Sequence, residues 1–230
     1  MSDLKEYKKN QDRVFGEFLH EMKTPLSIIR THLEAEIIND TIPLEVRQKL
    51  VLDVEEVARI NHLVNDMKIL LSNENQILQD RFEEKSLLVL VMDVVESLEP
   101  LAEIKNQKIS LVSKENCKVL MDEHKLKQLF FNLISNAIKY SPLHAKIEVL
   151  FFIKKNHIVV EVKDEGIGIA KEEQEKIFEA FYRVSNVKEE GTGLGLAVSN
   201  AIASLHNAKI VLKSQLGKGS RFEVKFEKTK

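Results

Sequence analysis

Histidine has an ordinary pKa of about 6.5, so at neutral pH its imidazole is largely uncharged and nucleophilic. His20 is followed directly by Glu21, and Thr24 lies one helical turn further on, on the same face. Glu21 can take the proton of one ring nitrogen and so raise the nucleophilicity of the other. The Thr24 hydroxyl can hold a water beside the ring. Pro25 removes one backbone hydrogen bond just past this group, which predicts a kink there. A zinc-hydrolase reading of His20-Glu21 fails, because the second histidine it needs would fall at position 24, a threonine.

Three further groups carry chemistry. Asn132, Asn136 and Lys139 recur at i, i+4 and i+7, a polar stripe opposite Leu126, Leu129, Leu133 and Ala137. A carboxamide oxygen is a hard, neutral ligand suited to Mg²⁺, and it adds no negative charge beside a polyphosphate. In Asp164-Glu-Gly166-Ile-Gly168, an ionised Asp164 accepts hydrogen bonds only, as from an exocyclic amino group of adenine, and the glycines let backbone approach a flat base. In Gly191-Thr192-Gly193-Leu194-Gly195-Leu196, glycines opening a helix leave amide N–H groups free for phosphate oxygens. Neither the dinucleotide fingerprint nor a P-loop fits: no third glycine follows at the required spacing, and Gly217-Lys218 lacks both the upstream glycine and the following hydroxyl.

These residues need elements to hold them. Phe15, Leu19, Met22, Leu26, Ile29 and Leu33 alternate four and three apart, the seam of an amphipathic helix. After a break at 39–43, with Pro43 suited to a first helical turn, Val46, Leu50, Val54, Val57, Ile60, Val64, Met67 and Leu71 mark a second helix. Two helices share too little core to stand alone, so the expectation is a dimeric four-helix bundle, the alternative being an internal hairpin packed on the rest of the chain. The polar run Ser72 to Gln76 ends the pattern, dividing the chain into 1–75 and 76–230 and offering a hinge. Beyond it, β-type runs at 108–113, 118–121, 145–153, 157–163, 208–214 and 220–226 alternate with helical stretches at 87–105, 122–140 and 194–205. That order predicts an α+β sandwich with helices on one face of a mixed sheet.

Composition narrows the classes. With 43% hydrophobic and 30% charged residues, and 34 Lys+Arg against 36 Asp+Glu, the chain is globular and lacks the basic excess of a nucleic-acid binder. A single cysteine, Cys117, forms no intrachain disulfide, so a reducing cytoplasm is expected. No apolar run reaches the ~18 residues of a membrane span.

Taken in order, these segments resemble the catalytic portion of a bacterial sensor histidine kinase, the phosphoryl donor of a two-component system. Phe18 to Leu26 is similar to the family's H box and Asn132 to Tyr140 to its N box. Asp164 to Gly168 matches the D box, Phe178 to Arg183 the F box and Gly191 to Leu196 the second glycine box. The resemblance implies a dimerisation hairpin followed by a Bergerat-type ATP-binding sandwich, with ATP and Mg²⁺ as ligands. His20 would be the phospho-acceptor, Glu21 the polarising base and Thr24 the residue that positions water. Asp164 would bind the adenine amino group, with Gly166 and Gly168 beside it, and Asn136 would hold Mg²⁺ with Asn132 close by. Lys139 and Tyr140 would line the pocket, Thr192, Gly193, Leu194, Gly195 and Leu196 would form the phosphate end, and a lid carrying Arg183 and Lys188 would cover it. The partners implied are a response regulator receiver domain and a second copy of the chain, with no nucleic acid. The location implied is the cytoplasm, or the cytoplasmic portion of a membrane sensor.

Two departures matter. The stretch between Arg183 and Gly191 is short for such a lid and ends Lys188-Glu189-Glu190, which predicts modest ATP affinity; Met22 and Lys23 stand where leucine and arginine are common. The competing readings are an ATPase of the gyrase and mismatch-repair type, without a phosphohistidine, and a catalytically silent scaffold or phosphatase.

Overall fold

The computed structural model describes residues 2–39, 41–71, 82–113, 115–154, 157–184, 189 and 191–227. The chain divides into two compact units, Met1–Asn73 and Glu74–Lys230.

The first unit is a hairpin of α1 (Ser2–Ile37) and α2 (Leu44–Leu71). α1 runs unbroken through Pro25, although that residue has no N–H to return to the Glu21 carbonyl. Between the helices, the Asn39 side-chain oxygen accepts from both the amide (3.1 Å) and the hydroxyl (2.7 Å) of Thr41. The Arg47 amide donates to the Pro43 carbonyl at 3.0 Å, so Pro43 stands just ahead of α2 instead of inside its first turn. Leu19 and Leu26 meet Val57 and Val64, with Met22, Leu33, Ile60, Met67 and Leu71 packed around them. Ile29, expected in the seam, is 47% exposed. Ten residues at ~100° each carry it ~80° round the helix from Leu19, to the edge of the apolar arc. The side chain of Phe15 lies outside the described residues.

The second unit runs β1 (Glu83–Ser86), α3 (Leu87–Ile104), β2 (Lys108–Ser113), β3 (Lys118–Met121), α4 (Glu123–Tyr140), β4 (Lys146–Lys154), β5 (His157–Asp164), α5 (Gly195–Leu205), β6 (Ala208–Ser214) and β7 (Ser220–Glu227). A 3-10 turn at Lys176–Phe178 lies between β5 and α5. The main sheet has the order β2-β4-β5-β7-β6, parallel between β2 and β4 and antiparallel elsewhere. The run at 118–121 joins no strand of that sheet; it pairs with β1, Glu83 opposite Met121, in a separate two-stranded sheet.

Alternation puts Ile147, Val149 and Phe151 of β4, Ile158, Val160 and Val162 of β5, and Phe222, Val224 and Phe226 of β7 in the core. Leu126, Leu129, Phe130, Leu133 and Ile134 of α4 pack with them, all 1% exposed or less. Asp122 caps α4 by accepting the Lys125 amide at 3.2 Å, and Ser86 caps α3 by accepting that of Val89 at 3.2 Å. Among the described residues no helix is long and apolar enough to cross a membrane.

Candidate active site

The helix–sheet packing leaves a cleft of about 350 Å³ in the second unit, bounded by the end of α4, the loop after β5, the start of α5 and the start of β7. Asn136, Lys139 and Tyr140 reach it from α4, because the buried leucines fix the opposite face of that helix inward. Burial pushes the Tyr140 hydroxyl up from its ordinary pKa, opposed by Arg183 and reinforced by Glu189. Lys139 Nζ stands 5.1 Å from the Tyr140 ring centroid, a cation–π contact.

Asp164, the last residue of β5, is 7% exposed. Its Oδ1 accepts the amide N–H groups of Gly166 (2.8 Å) and Ser220 (3.0 Å), leaving Oδ2 for another donor. Burial pushes its carboxyl above the ordinary range, and the two N–H donors pull it back down. Gly168 has φ +66°, and a Cβ there would stand 2.0 Å from the Gln215 carbonyl oxygen, so only glycine lets the loop pass beneath the cleft.

At the other end, Gly193 has φ +72° and a Cβ there would meet the Phe181 backbone at 2.7 Å, while its carbonyl accepts the Phe181 amide at 3.0 Å. No side chain caps α5, and Gly195 and Leu196 line the cleft, so the first amides of the helix are available to an anion. Thr192 lines the cleft as well and accepts the Leu194 amide at 3.3 Å.

Three of the residues singled out in the sequence stand behind the cleft instead of facing it. Asn132 donates to the Gly195 carbonyl (3.1 Å) and Ser199 Oγ (3.5 Å), tying α4 to the first turn of α5. Leu194 is fully buried, and Gly166 is packed against the Tyr140 carbonyl, 2.7 Å from where its Cβ would be. Arg183 lines the cleft and donates from Nη2 to the Glu189 carbonyl at 2.9 Å; Glu189 lines it too. Lys188 and Glu190 lie outside the described residues.

Sequence reasoning missed Ile167, Ile169, Ser220 and Phe222, all of which line the cleft. Ser220 and Phe222 belong to a strand remote in sequence, and the only signal for them was the Gly-Lys-Gly-Ser turn that opens it. In the first unit, His20, Glu21 and Thr24 lie on α1, Glu21 and Thr24 exposed; the His20 side chain lies outside the described residues.

Residues 121–230 match the family model described as histidine kinase-, DNA gyrase B- and HSP90-like ATPase. The histidine-protein kinase ArlS of Staphylococcus aureus is 31% identical over 98% of this chain, which spans about half (51%) of that relative's length. The Acinetobacter baumannii histidine kinase AdeS superposes with TM-score 0.65 at 29% identity, over 92% of this chain and 98% of its own. ShkA, solved full-length in complex with AMPPNP, shares the fold with TM-score 0.79 at 23% identity, over 94% of this chain and 46% of its own. The likeness runs through both units, with an ATPase-family match over most of the one that holds the cleft: the chain is similar throughout to the catalytic portion of histidine kinases.

Proposed function

We propose that the chain takes the γ-phosphoryl group of Mg-ATP onto His20 and passes it to an aspartate of a response regulator receiver domain, and that it also dephosphorylates that regulator. The observation that carries the reading is Asp164, held through one carboxylate oxygen by two amides at the wall of a cleft whose other end is the uncapped start of α5. An adenine amino group donates to the remaining oxygen of Asp164, with Ile167, Ile169 and Phe222 offering apolar contact to the base. The phosphates meet the first amides of α5. The donor set fits a magnesium ion: Asn136 offers a neutral oxygen, and the remaining ligands come from phosphate and water. Bound there, the ion would neutralise charge on the phosphates. One ring nitrogen of His20 attacks the γ-phosphorus, the bond to the ADP oxygen breaks, and Glu21 takes the proton from the other ring nitrogen.

The hairpin, 1–75, is read as the dimerisation and phospho-acceptor domain, and 76–230 as the ATP-binding domain that swings to it about 72–76, residues outside those described. Phe18, Ile28 and Val46, 54%, 51% and 44% exposed, support a second copy on the hairpin.

Transfer of γ-labelled phosphate from Mg-ATP to the purified chain tests this. The expected label is acid-labile and base-stable, absent from His20→Ala and reduced at least ~100-fold in Asn136→Ala, which loses the charge neutralisation that phosphoryl transfer depends on. An unlabelled chain that still binds ATP would favour the ATPase or the silent scaffold.

A further inference from the structure

The last carbonyls of an α-helix have no partner within it and need donors from elsewhere when the helix ends inside a domain. α4 ends with Ser141 in extended backbone, φ −91° and ψ 148°, so no left-handed turn folds back to supply them. Two side chains from the connection between α3 and β2 do so instead. Lys105 Nζ donates to the carbonyl oxygens of Ile138 (2.9 Å), Lys139 (3.0 Å) and Ser141 (2.6 Å). Gln107 Nε2, on a residue 5% exposed, reaches those of Ile138 (3.0 Å), Ser141 (3.1 Å) and Pro142 (2.9 Å).

The turn that aims them is itself fixed. Asn106 is left-handed, φ 51°, and the amides of Lys105 and Gln107 both return to the Ala102 carbonyl. The chain after α4 answers, the His144 amide donating to the Lys105 carbonyl at 3.0 Å. Lys105 and Gln107 take no carbonyl from Tyr140. That oxygen accepts the Ile167 amide at 3.2 Å, in the loop that follows Asp164. The last turn of α4 thus carries Lys139 and Tyr140 into one wall of the cleft and is tied by a backbone bond to the loop after β5, whose Ile167 lines another.

We propose that Lys105 is a positioning residue of the nucleotide cleft: its ammonium, set among three carbonyls at the end of α4, holds the turn that joins the two walls, without lining the cleft itself. The proposal rests on the cleft being the nucleotide site. An ammonium suits the task, since its three N–H donors diverge from one compact charge and a cation is favoured at a helix C-terminus.

Lys105→Met keeps the apolar stem and removes the donors. Titration with a non-hydrolysable Mg-ATP analogue should show about tenfold weaker binding, the scale of one lost charge-assisted hydrogen bond. In the label assay the KM for ATP should rise while the rate at saturating ATP holds. Lys105→Ala leaves room for propylammonium, which should restore affinity where tetramethylammonium, charged but without N–H, does not. Wild-type affinity in Lys105→Met, or equal effects of the two cations on Lys105→Ala, would overturn the proposal. Should Lys105→Ala prove unfolded by circular dichroism, the Lys105→Met titration decides. A wild-type chain that binds no nucleotide would sink the reading of the cleft, and this proposal with it. Wild-type binding left unchanged in Lys105→Met would sink this proposal alone.

Discussion

Asp164 shows how a residue serving a ligand can burden the fold that holds it. Its carboxyl is buried and its pKa raised, so the folded chain holds that proton more tightly than the unfolded one. The resulting stabilisation is present below the ordinary carboxylate range and is lost as pH rises through the raised value; at neutral pH the ionised group is a burden. Asp164→Asn keeps an oxygen for the amides of Gly166 and Ser220 and removes the charge. It should therefore melt at the same temperature as wild type or higher at pH 7, while binding nucleotide about tenfold or more weakly, having lost its charged acceptor. Thermal unfolding and nucleotide titration on one sample check both halves, and a lower melting temperature would contradict the sign argued here. The motif was legible in the sequence because its chemistry is local: an aspartate, then two glycines. Ser220, which anchors Asp164, was not legible, because 56 positions separate the two and only the β5–β7 pairing brings them together.

At the scale of elements, α4 links core to site. Its amphipathic spacing was readable, and Leu126, Leu129, Leu133 and Ala137 are all buried. Leu133 is 1% exposed and lies one residue from Asn132, which ties α4 to α5. Leu133→Ala should destabilise the second unit by about 2–5 kcal/mol, the range for emptying a packed leucine site, as read from denaturant unfolding followed by circular dichroism. A loss under about 1 kcal/mol would mean that the site collapses freely. β1 escaped notice for a physical reason. Glu-Glu-Lys-Ser has no apolar alternation, and its strand geometry comes from pairing with β3 and from the Lys85 bond to Glu123, at 2.7 Å, on α4. Ile29 misled in the opposite sense, since a heptad spacing drifts on a helix of 3.6 residues per turn.

For the whole molecule, the question is what completes the hairpin. Among the described residues of its two helices only Leu19, Leu26, Val57 and Val64 are buried, while Phe18, Ile28, Ile29, Val46, Val51 and Leu52 stay 42% exposed or more. A two-helix unit with so small a core is marginal by itself, and the second unit has its own sheet and helix layer. The two should therefore unfold separately and answer to different ligands. If a second copy covers the hairpin, its transition shifts upward with protein concentration, whereas that of residues 74–230 is independent of concentration and rises with Mg-ATP. Calorimetric scans over a ~100-fold dilution series, for which RT ln of the ratio is about 2.7 kcal/mol, resolve such a shift. Ile28→Asp, which puts a charge where a second copy would seat, should abolish the concentration dependence and halve the mass measured by light scattering, leaving nucleotide affinity unchanged. A hairpin transition that ignores dilution in the wild-type chain would place its missing partner elsewhere than in a second copy.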